Sequence, residues 1–216
     1  MNLEDFKGHI YLIDDDPSIC RSLSFTLTSS QYSVQTFDGP TSFLHDSLPI
    51  SPSVILLDMR MPDMPGIALQ QKLVEMGRNT PIIFISGESQ PSEIIEAMKL
   101  GAIDFLLKPF GMEVLLSTIE KALDKDRHSQ SELVKSLDMK QRFERLTEKE
   151  QEICRLIVRG YGNKEISEIK GSAAATVKLH RSRVLEKMGC ETLPELIAMT
   201  FDGNGTQYEF FSGELY

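Results

Sequence analysis

Three short stretches of the 216-residue chain hold residue types that could do chemistry together: LIDDDP at 12–17, LLDMRMPDMPG at 56–66 and FLLKPF at 105–110. Each is an apolar run that ends in charge. The first supplies Asp14, Asp15 and Asp16, the second Asp58 and the third Lys108. Carboxylates packed together repel and raise one another's pKa. A divalent cation removes that conflict. Mg²⁺ suits best, because it is a hard ion that takes one or two carboxylates, a carbonyl and several waters. Such a site serves phosphoryl transfer: metal and Lys108 neutralise the phosphoryl oxygens, and one carboxylate is the nucleophile. Asp58 fits that role, standing alone on its strand, with Asp15 on the metal and Asp14 beside it. Lys108 would reach Asp58 or its phosphoryl group, and Pro109 would fix the turn that aims it, a cis bond being one way to do so.

These residues work together only if the fold gathers them. Five apolar, β-rich runs punctuate the first 110 residues: 9–13, 32–37, 53–57, 81–86 and 104–107. Between and after them, 18–28, 66–76, 92–100 and 112–123 have helical period. Repeated strand and helix with nearly continuous apolar strands reads as a parallel sheet covered on both faces. Right-handed crossovers make it an open, doubly wound α/β domain. In such a sheet functional groups gather at the carboxyl ends of the strands, where Asp14–Asp16, Asp58, Ser86 and Lys108 all fall. Taken singly, DDD before Pro17 could be a helix cap, and a strand-end lysine is usually solvated. Joint placement at four strand ends is what argues for a site.

Composition permits a real core, with 41% hydrophobic residues. No run of 18 apolar residues occurs and the N-terminus MNLEDFKGHI is polar, which speaks against a membrane span or secretory signal. Cys20, Cys154 and Cys190 lack paired metal spacing, so reduced, buried thiols in a cytoplasmic protein are expected. The net charge of −9 is uneven. Residues 1–124 hold 8 Lys+Arg against 17 Asp+Glu, whereas 144–201 hold 10 against 9. That asymmetry predicts two domains with different partners. Between them, 125–143 is polar, has no Pro or Gly, and spaces Leu133 and Leu137 on one helical face, as suits a helical or semi-rigid linker.

YLIDDDP, ILLDMRMPDMPG, IIFISG and GAIDFLLKPF resemble the signature blocks of the receiver domain of two-component response regulators over residues 7–124, within a domain spanning 1–124. The resemblance implies a flavodoxin-like fold with Asp58 as phosphoacceptor and Asp14 and Asp15 as the acidic pair. It implies Mg²⁺ on Asp15, Asp58 and the Arg60 backbone carbonyl, with Asp14 reached through water. Ser86 would be the switch hydroxyl, Phe105 the rotating aromatic and Lys108 the phosphate partner. Serine at 86 and phenylalanine at 105 are mild departures that remove no chemistry.

From 144 onward the chain reads as short helices. Thr147 with Glu150 three residues on is a capping box, and Ile153, Leu156 and Ile157 form a buried stripe. Further helices are expected in NKEISEI, AATVKLHRSRVLEKMG and TLPELIAMTF. Lys178, Arg181, Arg183 and Lys187 stand against one acid in TVKLHRSRVLEK, and Val177, Val184 and Met188 form a narrow apolar stripe. In isolation that is a solvated basic face; in a helix–turn–helix it is a helix for the DNA major groove. The block 144–201 resembles the LuxR-type four-helix DNA-binding domain, and the order of domains resembles the NarL/FixJ subfamily. By that resemblance Lys178, Leu179 and Ser182 face bases, while Lys164, Thr176, Arg181 and Arg183 contact phosphates. The turn KGSA departs from the family: Lys170 and Ser172 replace turn-packing residues and Ala173 the usual capping serine, so Ser172 is expected to cap one residue early. The tail 202–216 has no clear period.

The chain therefore reads as a cytoplasmic, DNA-binding transcriptional response regulator. A sensor histidine kinase phosphorylates it, and phosphorylation drives homodimerisation and binding to double-stranded promoter DNA, with RNA polymerase as a further partner. Two rivals use the same fold. An aspartyl-phosphate hydrolase needs a general acid near Asp58, where only Met59 and Arg60 follow. A phosphorylation-independent receiver-type transcription factor would ignore Asp58, against which the full acidic set argues.

Overall fold

The computed structural model of the protein describes residues 6–46 and 50–212. It divides into two compact units, one ending at Gln130 and one beginning at Ser131.

The first unit is a five-stranded parallel sheet. Strands β1 (His9–Ile13), β2 (Ser33–Phe37), β3 (Ser53–Asp58), β4 (Ile82–Ser86) and β5 (Asp104–Leu107) run in the order β2-β1-β3-β4-β5. The three inner strands are buried at every residue, and the edge strands β2 and β5 are not. This is why the inner runs read as continuously apolar. Alternate side chains serve two cores. Tyr11, Ile13, Ile55, Leu57, Ile82 and Phe84 face Phe43, Leu69, Leu73 and Ala97; Ile10, Leu12, Val54, Leu56, Ile83 and Ile85 face Leu27, Leu115, Ile119 and Leu123. The first set lies against helices α2 (Pro40–Leu44), α3 (Gly66–Glu75) and α4 (Pro91–Lys99). The second lies against α1 (Pro17–Ser29) and α5 (Met112–Glu144). The five-residue α2 was not expected from the sequence.

Helix α5 runs unbroken for 33 residues, so the stretch expected as a linker over 125–143 is helical throughout. It is not a bare spacer. Asp126, buried, accepts from Ser51 Oγ (2.8 Å) and the Ser53 N–H (2.9 Å), and Met139 and Phe143 are core residues of the second unit. Leu133 and Leu137 are 54% and 56% exposed.

The second unit adds α6 (Glu148–Val158), α7 (Asn163–Lys170), α8 (Ala174–Met188) and α9 (Leu193–Met199). Ile153, Leu156 and Ile157 of α6 meet Ile166, Val177, Val184, Met188 and Leu196, so the expected apolar stripes form one core. The tail has structure over 202–212 that the sequence did not disclose, and its last four residues lie outside the described residues. Phe201 and Gln207 form a bridge, Asp202 accepts from the N–H groups of Asn204 and Thr206, and a 3-10 turn follows at Glu209–Phe211. Phe211, 1% exposed, meets the Phe143 ring edge-on at 5.0 Å, while Arg155 lies over Phe143 and donates to the Phe210 carbonyl. The tail thus closes the aromatic end of this core. No helix among the described residues is long and apolar enough to cross a membrane.

Candidate phosphorylation site and nucleic-acid interface

Parallel strands bring the ends of β1, β3, β4 and β5 to one edge. There the Lys108 ammonium donates to Asp14 Oδ2 at 3.0 Å and to Asp58 Oδ1 at 3.0 Å, bridging residues 94 and 50 positions away. The bond from Lys108 to Pro109 is cis. Asp14 and Asp58 are buried, at 2% and 7% exposure. The second Asp58 oxygen accepts from the Arg60 N–H at 2.6 Å. Burial pushes the Asp58 carboxyl above its ordinary pKa, and the Asp14 charge adds to that; the bonds from Lys108 and Arg60 oppose it without cancelling it. Burial works to lower the Lys108 pKa, but its bonds to the two carboxylates carry it above the ordinary value. Asp58 is therefore a carboxylate held in place with its charge only partly compensated.

The three carboxylates after β1 have separated roles. Asp14 joins Lys108, Asp15 is exposed at the mouth of an adjoining cleft of about 550 Å³, and Asp16 caps α1 by accepting the Ser18 N–H at 2.7 Å. The sequence-based expectation that Asp16 belongs to the converging set gives way to this cap, because the first N–H groups of a helix need acceptors. Ser86 is fully buried. Its hydroxyl donates to the Glu88 carbonyl (2.7 Å) and accepts from Ser89 Oγ (3.0 Å), so the β4–α4 loop engages it. Phe105 is half-buried and stacks on Phe84, with centroids 5.9 Å apart.

Two features were not foreseen. Gly66 donates its N–H to the Met59 carbonyl, and a Cβ there would stand 2.4 Å from the Asp58 carbonyl oxygen. Only glycine lets the loop after β3 close this tightly; the G ending LLDMRMPDMPG was the available signal. The other is the Arg60 side chain, which pairs with Glu93 at 3.0 Å in the first turn of α4. The same Glu93 oxygen accepts the Gln90 N–H that opens that helix.

In the second unit, Lys164, Thr176, Lys178, Leu179, Ser182 and Arg183 are exposed, Leu179 at 51%. Val177, Val184 and Met188 are buried, so α8 turns one face inward and leaves a polar, basic face outward. Arg181 differs from the other expected contacts: it is half-buried and donates to the Tyr161 carbonyl at 3.0 Å, tying α8 to the turn between α6 and α7. Lys187, counted in the basic cluster, belongs to an internal pair. Its ammonium meets Glu150 at 2.6 Å, with the Glu150 side chain 3% exposed. Glu150 also accepts the Thr147 N–H, completing the expected capping box. The Lys187 bond, then that capping bond, lower the Glu150 pKa to about 2.

The KGSA turn is braced differently from the expectation. Gly171 takes the left-handed conformation that ends α7, and Lys170 pairs with Glu152 of α6 at 2.8 Å, an ionic link that ties the turn to α6. Ser172 does not cap α8. Its hydroxyl donates back to the Lys170 carbonyl, and the capping position is Ala173, without a side-chain bond. The reason is local: Ser172 carbonyl and N–H are both engaged by Ser167, which turns its side chain away from the helix start.

Comparisons with known proteins agree with this geometry. The sequence model described as the response regulator receiver domain matches residues 10–120, and that of the bacterial regulatory proteins of the luxR family matches 144–200. The response regulator protein TodT of Pseudomonas putida is 35% identical over 199 residues, 92% of this chain and 88% of that protein. The transcriptional regulatory protein FixJ of Rhizobium meliloti is 32% identical over 201 residues, 93% of this chain and 98% of that one. Among solved structures, the response regulator StyR is similar with a TM-score of 0.77 at 36% identity, covering 88% of this chain and 96% of that one. The two signature regions, their order and these full-length likenesses lead to one conclusion: the chain belongs to the response regulators of the NarL/FixJ family, in which a receiver domain precedes a LuxR-type DNA-binding domain.

Proposed function

We propose that this transcriptional response regulator is switched by phosphorylation of Asp58, with a sensor histidine kinase as donor. A carboxylate oxygen of Asp58 attacks phosphorus, the bond from phosphorus to the donor nitrogen breaks, and its electron pair leaves with the imidazole. The observation that carries this reading is the Lys108 ammonium, held 3.0 Å from both Asp58 and Asp14. It is a fixed cation where phosphoryl charge would develop. The donor set also fits Mg²⁺. It is all oxygen, and Asp58 is left short of positive charge by burial and by Asp14. Asp15, Asp58 and the Arg60 carbonyl would hold it, with Asp14 through water. When bound it would supply charge neutralisation for the phosphoryl oxygens.

Phosphorylation adds roughly one negative charge at Asp58. In this reading it draws the Ser86 hydroxyl away from the Glu88 carbonyl, and Phe105 follows into the space vacated. The outcome is a cytoplasmic regulator that forms homodimers and binds paired half-sites in double-stranded promoter DNA. Lys178, Leu179 and Ser182 read bases, Lys164, Thr176 and Arg183 hold phosphates, and Arg181 steadies the helix from its anchor on Tyr161. RNA polymerase is the further partner at the promoter. The test is acid-labile label from a kinase or acetyl phosphate with Mg²⁺ present. Asp58→Asn is expected to abolish it, and persistent label in that variant moves the acceptor elsewhere.

A further inference from the structure

Helix α4 is lightly packed. Ala97 is its one buried residue among the described residues, and Ile95 and Met98 are 55% and 43% exposed. By comparison α3 buries Gly66, Leu69, Gln70 and Leu73. A helix with so little buried surface is positioned largely by its polar contacts, and small free energies move it.

Polar side chains reach α4 from two directions. From α3, Gln70 donates to the Ala97 carbonyl at 3.1 Å and Gln71 to Glu96 Oε1 at 3.3 Å. The other direction is the phosphorylation site itself. Arg60 donates its N–H to Asp58 Oδ2 at 2.6 Å, and its guanidinium donates to Glu93 Oε2 at 3.0 Å. That same Glu93 oxygen accepts the Gln90 N–H, at 2.7 Å, where the helix starts. One residue thus joins the reacting carboxylate to the first turn of α4, along a path that passes through neither Ser86 nor Phe105.

We infer that the Arg60–Glu93 pair is a latch that holds α4 in the resting arrangement, a role that rests on Asp58 as phosphoacceptor. The resting arrangement is the one in which Ser86 Oγ bonds the Glu88 carbonyl at 2.7 Å. A phosphoryl group on Asp58 changes the acceptor that the Arg60 N–H meets, and so displaces the residue that carries the guanidinium. Contacts made in one arrangement and lost in the other bias the equilibrium between them. The side chains of the pair are 58% and 26% exposed, so the latch sets the threshold for switching by a few-fold and does not lock the protein. Arg60 and Glu93 are positioning residues for the switch.

The test titrates the full-length, isotopically labelled chain with beryllofluoride, a stable phosphoryl analogue, in the presence of Mg²⁺, while amide resonances over 89–97 are followed. Glu93→Gln keeps an oxygen for the Gln90 N–H and removes the charge that holds Arg60. It is expected to lower the beryllofluoride concentration at half-change about two- to fivefold, the range of an exposed pair. Arg60→Gln should do the same, and Arg60→Lys should keep the parental value. The double variant Arg60→Gln/Glu93→Gln should match either single one, because one interaction is lost once. High salt should bring the parent toward the variants. General loosening of the receiver is neither rescued by lysine nor non-additive. A parental value in Glu93→Gln, or additive effects, overturns the latch and leaves Asp58 as acceptor. A raised value in Arg60→Gln also overturns it, by making the guanidinium a ligand of the phosphoryl group. No saturable change in the parent removes the acceptor role of Asp58 and the latch with it.

Discussion

Each unit of the chain buries a carboxylate against a lysine, and the two sites behave in opposite ways. In the receiver, Lys108 is shared between Asp14 and Asp58, and burial leaves the Asp58 carboxyl above its ordinary pKa. In the DNA-binding unit, Lys187 serves Glu150 alone, the Thr147 N–H adds a second bond, and the Glu150 pKa falls to about 2. One ammonium for two acids leaves a charge wanting more positive partners. One ammonium and a backbone donor for one acid leaves nothing wanting. The first arrangement is suited to a reacting group that must receive a metal and a phosphoryl group; the second is suited to holding α6 against α8. Residue types alone do not separate reactive from structural ion pairs. The ratio of buried charges does.

The lysines offer the sharpest test of that difference. Lys108→Met leaves two buried carboxylates facing each other without a cation, and is expected to cost the receiver about 3 kcal/mol in chemical denaturation. Millimolar Mg²⁺ should recover part of it, since the ion would neutralise the same two groups. Lys187→Met is expected to cost the DNA-binding unit less, about 1–2 kcal/mol. Its side chain is 38% exposed, and Glu150 keeps the Thr147 bond. Mg²⁺ should not recover it. Equal losses, or recovery by Mg²⁺ in both, would remove the distinction drawn between a poised and a closed site.

The outward face of α8 tests the same unit by its function. Lys178→Ala should weaken DNA binding and relax preference at one base position by about 1–3 kcal/mol, read by selection of bound fragments. Arg183→Ala should act on all sequences alike and lower the salt slope of binding by about one. Lys187→Met, by contrast, should leave the slope unchanged in the folded protein, because its ammonium is spent on Glu150. A reduced slope in that variant would return Lys187 to the basic surface.

Much of this was legible in the sequence because the receiver's inner strands are buried on both faces and announce themselves by composition. Once β1, β3, β4 and β5 were recognised as parallel, their carboxyl ends had to meet, and Asp14, Asp58 and Lys108 followed. What was not legible depends on partners distant in sequence with no period between them. Glu150 was visible as a cap, but Lys187 lies 37 residues on and looked like DNA-binding charge. Phe210 and Phe211 looked patternless because their partners, Phe143 and Arg155, sit on α5 and α6. The direction of the Ser86 hydroxyl, toward Glu88, is a rotamer choice that composition does not carry. The five residues of α2 are too few to show a helical period.

The most direct reading of the comparison follows the two carboxylates by pH. Glu150 has a folded pKa of about 2 against an ordinary 4.5. A lowered carboxyl pKa contributes stability that is present above 4.5 and lost as pH falls toward 2. The advantage of the parent chain over Glu150→Gln should therefore hold from neutrality down to pH 4.5 and shrink below it. Asp58 is raised above its ordinary 3.8, so its contribution is most favourable below 3.8 and is lost as pH rises through the folded value. Asp58→Asn should accordingly stabilise the receiver at neutral pH, and that gain should fade on acidification. Unfolding of each unit followed by residue-specific amide exchange between pH 7 and 3, in the parent chain and both variants, reads both trends. Two curves moving in the same direction would mean that the buried charges of the two sites are balanced alike.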